Sequence, residues 1–110
     1  IRFQRPVSAP GVVEVDEGQI GYLGPTFGGY VSLRELTEIR MIRLYGENHW
    51  RLKQTDGQVL LVPVAAAGAG ALFDAFSTLP GMDTAALAAA PDAPSDTLTV
   101  WRHPARVALT

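Results

Sequence analysis

His49, Trp50, Arg51 and Lys53 fall within five positions of the stretch YGENHWRLKQTDGQ, residues 45–58. Two cations and an imidazole this close together suit an anionic ligand, which they would hold through charge-assisted hydrogen bonds. The leading reading of the same residues on a strand is the wet side of a sheet, with Glu35, Glu38, Glu47 or Asp56 balancing the charge. A protein-contact face is the third reading. The strand that carries these residues decides which side chains stand together.

Glycine and asparagine at 46 and 48 suggest a three-residue hairpin loop, Gly46-Glu47-Asn48, with Asn48 left-handed. Tyr45 then faces His49, Leu44 faces Trp50, Arg43 faces Arg51, Ile42 faces Leu52 and Met41 faces Lys53. One side becomes Ile42, Leu44, Trp50 and Leu52, all core. The other becomes Met41, Arg43, Tyr45, His49, Arg51 and Lys53. A slip of one residue would mix the two sides, which favours this register. It sets Arg43 directly against Arg51, a like-charge pair that costs a few tenths to about 1 kcal/mol unless carboxylates or a bound anion offset it. The candidate contact set is therefore Arg43, His49, Arg51 and Lys53.

Reactive chemistry has little to draw on elsewhere. The chain has no cysteine, hence no disulfide framework, thiolate zinc site or thiol nucleophile. His49 and His103 lack a carboxylate at metal-ligand spacing and read as surface strand residues. Ser8, Ser32, Ser77 and Ser95 lie in no nucleophile-elbow pattern. Gly68-Ala69-Gly70 follows a strand and precedes a helix, but Phe73 occupies the place of a third glycine, so a dinucleotide loop is not formed. No enzyme activity, metal or cofactor is expected.

The chain has 110 residues, 47% of them hydrophobic and 18% charged, with a net charge of −2. That is one globular domain without an overall basic field for nucleic acid. The apolar run VLLVPVAAAGAGALF, residues 59–73, is too short to span a bilayer and is interrupted by Pro63, Gly68 and Gly70. Residues 1–11 read as an arm or juxtamembrane linker. The first residue is Ile1 and not methionine, and with Arg2 and Arg5 close by this is read as the flank of an upstream membrane segment, the arginines on its cytoplasmic side.

From Val12 the hydrophobic period is two. VVEVD and QIGYLG are strands joined by Asp16, Glu17 and Gly18; YVSLREL, LTEIRMIRLY, the HWRLKQ stretch and VLLVPV follow. Asp56-Gly57 is a strong hairpin signal. VLLVPV is apolar on both sides and is expected in the sheet interior, with Pro63 near its end. The period then changes: Leu72, Phe73, Phe76 and Leu79 form the stripe of a helix over 69–79, ended by Pro80 and Gly81. Asp83 is placed to N-cap a short second helix, TAALAAA. Residues 91–96 read as a linker and TLTVWRH as a further strand, with Trp101 packed. The fold class expected is mainly β, an antiparallel meander closing into a barrel or sandwich capped by one amphipathic helix.

This order, VVEVDEGQIGYLGP, YVSLRELTEIRM, HWRLKQTDGQVLLVPV and then LFDAFSTLPG, resembles the bacterial pleckstrin-homology-like domain family over residues 12 to 80, with the folded unit taken as 12–90. The resemblance implies a binding or assembly module and not an enzyme, with a protein partner or a second copy as its contact. It also implies a cytoplasmic domain, close to the inner membrane where the protein is membrane-attached. Phosphoinositide binding is not implied: the first hairpin turn, DEGQ, is acidic where phosphate-binding members carry lysine and arginine. The runner-up is a small β-barrel holding an apolar or anionic metabolite between helix and sheet.

Overall fold

A computed structural model describes residues 11–106. The chain runs β1 (Val12–Asp16), β2 (Gln19–Leu23), β3 (Gly28–Ser32), β4 (Leu36–Leu44), β5 (Glu47–Gln54), β6 (Val59–Pro63), α1 (Ala71–Ser77), α2 (Thr84–Ala89) and β7 (Thr97–Arg102). Short 3-10 turns occupy Leu33–Glu35 and Ala90–Asp92. The expected arm and the arginines at 2 and 5 lie outside the described residues.

Two antiparallel sheets result, a three-stranded one ordered β1-β2-β3 and a four-stranded one ordered β6-β5-β4-β7. They share one hydrophobic core and do not close into a barrel, so the closed barrel, one of the two architectures expected, does not form. Val13, Ile20, Tyr22 and Val31 point inward from the smaller sheet, and Ile39, Met41, Trp50, Leu52, Leu60 and Val62 from the larger. Because the two inner faces share one core, the two outer faces point away from each other.

Turn chemistry sets the registers. Glu17 and Gly18 adopt φ of 50° and 78°, the double left-handed turn whose twist matches a tight hairpin. Tyr45 and Gly46 do the same at 52° and 79°. That second turn corrects the expected register. The loop has two residues, Tyr45 and Gly46, so Leu44 pairs with Glu47, Ile42 with His49, Met41 with Trp50 and Arg40 with Arg51. Ile39 and Met41 therefore enter the core beside Trp50 and Leu52, and Ile42 and Leu44 move to the outside.

Lower in β4 the pairing shifts between Leu36 and Glu38, leaving Thr37 as the extra residue of a bulge. Its hydroxyl donates to the Lys53 carbonyl at 3.2 Å. The bulge reverses the alternation, which is how Leu36 and Ile39 both reach 0% exposure. At the same end of the larger sheet the buried amide of Gln54 accepts from the Ser32 backbone at 2.8 Å, tying β3 to β5.

β6 lies at an edge of the larger sheet, not in its interior as its two-sided apolar sequence led us to expect. β3 runs close beside it: the Gln58 side chain donates to the Tyr30 carbonyl at 3.2 Å. Val59 and Leu61, on the outer side of β6, are half-buried. Pro63 ends the strand.

The capping helix expected over 69–79 is shorter, Ala71–Ser77, and the expected short second helix follows it as α2. Leu72 and Phe76, one turn apart, are fully buried, and the Phe76 ring meets Trp50 edge-on at 5.5 Å. Phe73, about 100° further round the helix, is 40% exposed and outside the stripe. Asp83 does N-cap α2, accepting from Ala85 and Ala86 N–H at 3.0 and 3.1 Å. Asp83→Ala should cost about 1 kcal/mol. Chemical denaturation is the check, and an unchanged midpoint would mean that α2 contributes nothing to the cooperative unit.

β7 completes the larger sheet by pairing with β4. The pairing shifts between Ile39 and Arg40, so Val100 is the extra residue. Trp101 is 4% exposed and its indole N–H donates to the Pro80 carbonyl at 2.8 Å, a packed position as expected.

Candidate functional site

β5 alternates inward Trp50, Leu52 and Gln54 with outward His49, Arg51 and Lys53. These three outward residues stand on the outer face of the larger sheet, as the sequence required. Arg43 does not join them. It pairs with Asn48 on the other face, at the hairpin end, where its guanidinium donates to the Gly46 carbonyl at 3.3 Å. Arg40 takes its place directly opposite Arg51, and Arg102 enters the site through its pairing with Glu38.

In the rows between Glu38 and Ile42 the outer face thus carries Arg40, Arg51, Lys53 and Arg102 against one carboxylate, Glu38. Glu38 serves two arginines. Its Oε1 accepts from Arg51 Nη1 at 3.4 Å and its Oε2 from Arg102 Nε at 3.0 Å. Among the described residues, no carboxylate lies within ion-pair distance of Arg40 or Lys53. Arg40 Nε is buried and has no hydrogen-bond partner among the described residues. Half-buried Ile42, Val59 and Leu61 flank the cations. Arg102 was missed in the sequence because its strand lies some sixty residues from β4. Arg40 was missed because of the register error.

The histidines have local roles. His49 Nδ1 lies 2.9 Å from the Glu47 carbonyl. His103 packs edge-on against Trp101 at 5.6 Å and its Nδ1 accepts from the Ala105 N–H at 3.0 Å. Among the described residues, no group of three or more His, Asp or Glu side chains is arranged to hold a metal ion.

Surface depressions among the described residues lie away from this face. One of about 240 Å³ lies on the outer side of the smaller sheet, lined by Val12, Glu14, Gly21, Leu23 and Tyr30, with Tyr22 at its margin. Burial pushes the Tyr22 phenol above its ordinary range. A second, of about 340 Å³, runs between Trp50 of β5, Val64 just past β6, and Phe73, Leu87 and Pro91 of the helical segment. The third, of about 310 Å³, continues past Val64 and Pro91 to Asn48 and Arg43. There the Asn48 amide donates to the Pro91 and Ala93 carbonyls at 2.8 and 3.3 Å, while its buried Oδ1 has no partner among the described residues.

No family model matches the chain, and neither does any curated protein or solved structure. No helix among the described residues is long and apolar enough to cross a membrane.

Proposed function

We propose that the chain is a non-catalytic interaction module of the pleckstrin-homology-like type, and that it binds an acidic protein surface through the outer face of its larger sheet. The observation that carries this reading is the imbalance on that face: four cations share one carboxylate, and Arg40 and Arg51 are held directly opposite each other. Like charges so placed cost a few tenths to about 1 kcal/mol, a cost that an acidic partner would offset. The flanking Ile42, Val59 and Leu61 supply apolar contact, as the centre of a protein interface requires.

Arg51→Gln combined with Lys53→Gln tests it. These side chains are partly exposed, so stability should stay within about 1 kcal/mol of the parent. Binding to polyglutamate, followed by fluorescence anisotropy at low salt, should fall at least tenfold. Equal binding by parent and variant would leave the face as a solvated surface only. Binding to vesicles containing phosphatidylserine but not to polyglutamate would point to a membrane surface and against a protein.

A second reading rests on the groove between sheet and helices. Its volume, about 340 Å³, falls at the lower end of small-molecule sites and its walls are apolar. An apolar or anionic metabolite would lie along Trp50 and Phe73, with its polar end toward Asn48 and Arg43. Native mass spectrometry of the purified chain separates the two readings, since only this one requires a retained small molecule.

A further inference from the structure

Charge is divided between the two outer faces. From Gly11 to Leu33 the chain contains no lysine, arginine or histidine and carries Glu14, Asp16 and Glu17. In the register of the smaller sheet, Glu14 aligns with Gly21 and Tyr30, and Asp16 with Gln19 and Ser32. These residues alternate with the buried Val13, Ile20 and Val31, so both carboxylates stand on the outer face, and Glu17 sits at the hairpin turn beside them. The same side carries exposed apolar groups. Leu23 is 51% exposed and Tyr30 68%. Gly21 leaves room for the Tyr30 ring, since a Cβ there would lie 2.6 Å from it. The result is an acidic, aromatic face with a shallow depression of about 240 Å³ at its centre.

The outer face of the larger sheet has the opposite character, with Arg40, Arg51, Lys53 and Arg102 around Ile42, Val59 and Leu61. We propose that the chain associates head to tail with itself. The acidic face of one copy seats on the basic face of the next, an assignment that rests on the interaction reading above and names its occupant as a second copy of this chain. Tyr30 and Leu23 would pack on Ile42 and Leu61, while Glu14 and Asp16 would bring carboxylates to Arg40 and Lys53, which have no ion-pair partner among the described residues.

Two different patches meeting in this way form a heterologous contact, which extends as an open stack where the rotation between copies does not close a ring. The smaller face limits the contact. Three strands of five residues cover about 14 by 16 Å, so each copy buries only a few hundred Å², well below the standard interface size. Association should therefore depend steeply on concentration, and it should weaken as salt screens the charges.

Sedimentation velocity on the chain at low ionic strength, up to on the order of 1 mM, is the test. The average mass should rise past that of a dimer without a plateau, and fall back at high salt. Glu14→Lys with Asp16→Lys removes one face; Arg51→Gln with Lys53→Gln removes the other. Each variant should be monomeric alone, and an equal mixture should give a two-chain species that grows no further. Near-ultraviolet circular dichroism checks that each is folded, and Glu14→Gln with Asp16→Asn replaces the lysine pair if that variant is not. A chain that stays monomeric throughout, a dimer that does not grow, or growth that neither variant stops would each overturn the stack. Monomers that still bind polyglutamate through Arg51 and Lys53 would sink the stack while leaving the interaction module standing.

Discussion

Replacing Phe76 by alanine is expected to destabilise the protein by about 3–5 kcal/mol, the range for removing a fully buried aromatic ring from a core. Phe76 is 0% exposed and its ring meets Trp50 edge-on, so the variant loses both buried apolar surface and an aromatic pair. α1 has only seven residues, too few to be stable alone. Its place over the core depends on Leu72 and Phe76, and collapse of the surrounding structure into the vacated space would leave the helix without an anchor. Equilibrium denaturation in urea measures the effect. A change below 1 kcal/mol would show that the helix does not close this end of the core.

Gly68→Ala should be nearly as damaging, through the backbone and not the core. Gly68 has φ of +84°, and a Cβ there would lie 2.5 Å from the Val13 carbonyl oxygen. The left-handed conformation alone costs a side chain about 1–2 kcal/mol. Relieving the overlap must also move the segment that hydrogen-bonds to β1, where Val13 N–H donates to the Ala67 carbonyl at 2.7 Å and Ala67 N–H to the Gly11 carbonyl at 2.9 Å. Each such bond contributes about 1 kcal/mol net, so a total of about 2–4 kcal/mol is expected. Gly46→Ala is the control. Its φ is +79° but nothing lies within 4 Å of the added methyl, so it should show only the conformational part. Equal losses in the two variants would refute the steric argument.

The contrast between turns shows what could be read in advance. Glu17-Gly18 and Asp56-Gly57 sit where their residue types place them, and the strands on either side follow. The turn at Tyr45-Gly46 was not legible, because a tyrosine at positive φ is uncommon and gives no turn signal, whereas Asn48 was a plausible left-handed residue. Hydrophobic alternation near the turn could not correct the choice: Ile39 and Met41 are apolar on one parity of β4, Ile42 and Leu44 on the other. Extending the comparison toward Glu38 and Arg40 would have helped, since both charges share the parity of Ile42, and burying that side would bury them as well. His49, Arg51 and Lys53 stood correctly because their own strand alternates cleanly. The larger sheet's charge balance was hidden, since Glu38 meets Arg102 only after the last strand has returned to β4.

That return has a consequence in time. Glu38 and Arg102 are 64 residues apart in the chain. At synthesis rates of about 5–20 residues per second, β4 waits roughly 3–13 s after leaving the ribosome before its second neighbour has been made. Through that interval β4 is paired only with β5, and its other edge offers a row of unpaired amides to any strand nearby. The nascent chain therefore passes through a sticky stage that a circularly rearranged chain, with β7 placed ahead of β1, would shift from β4 to β7.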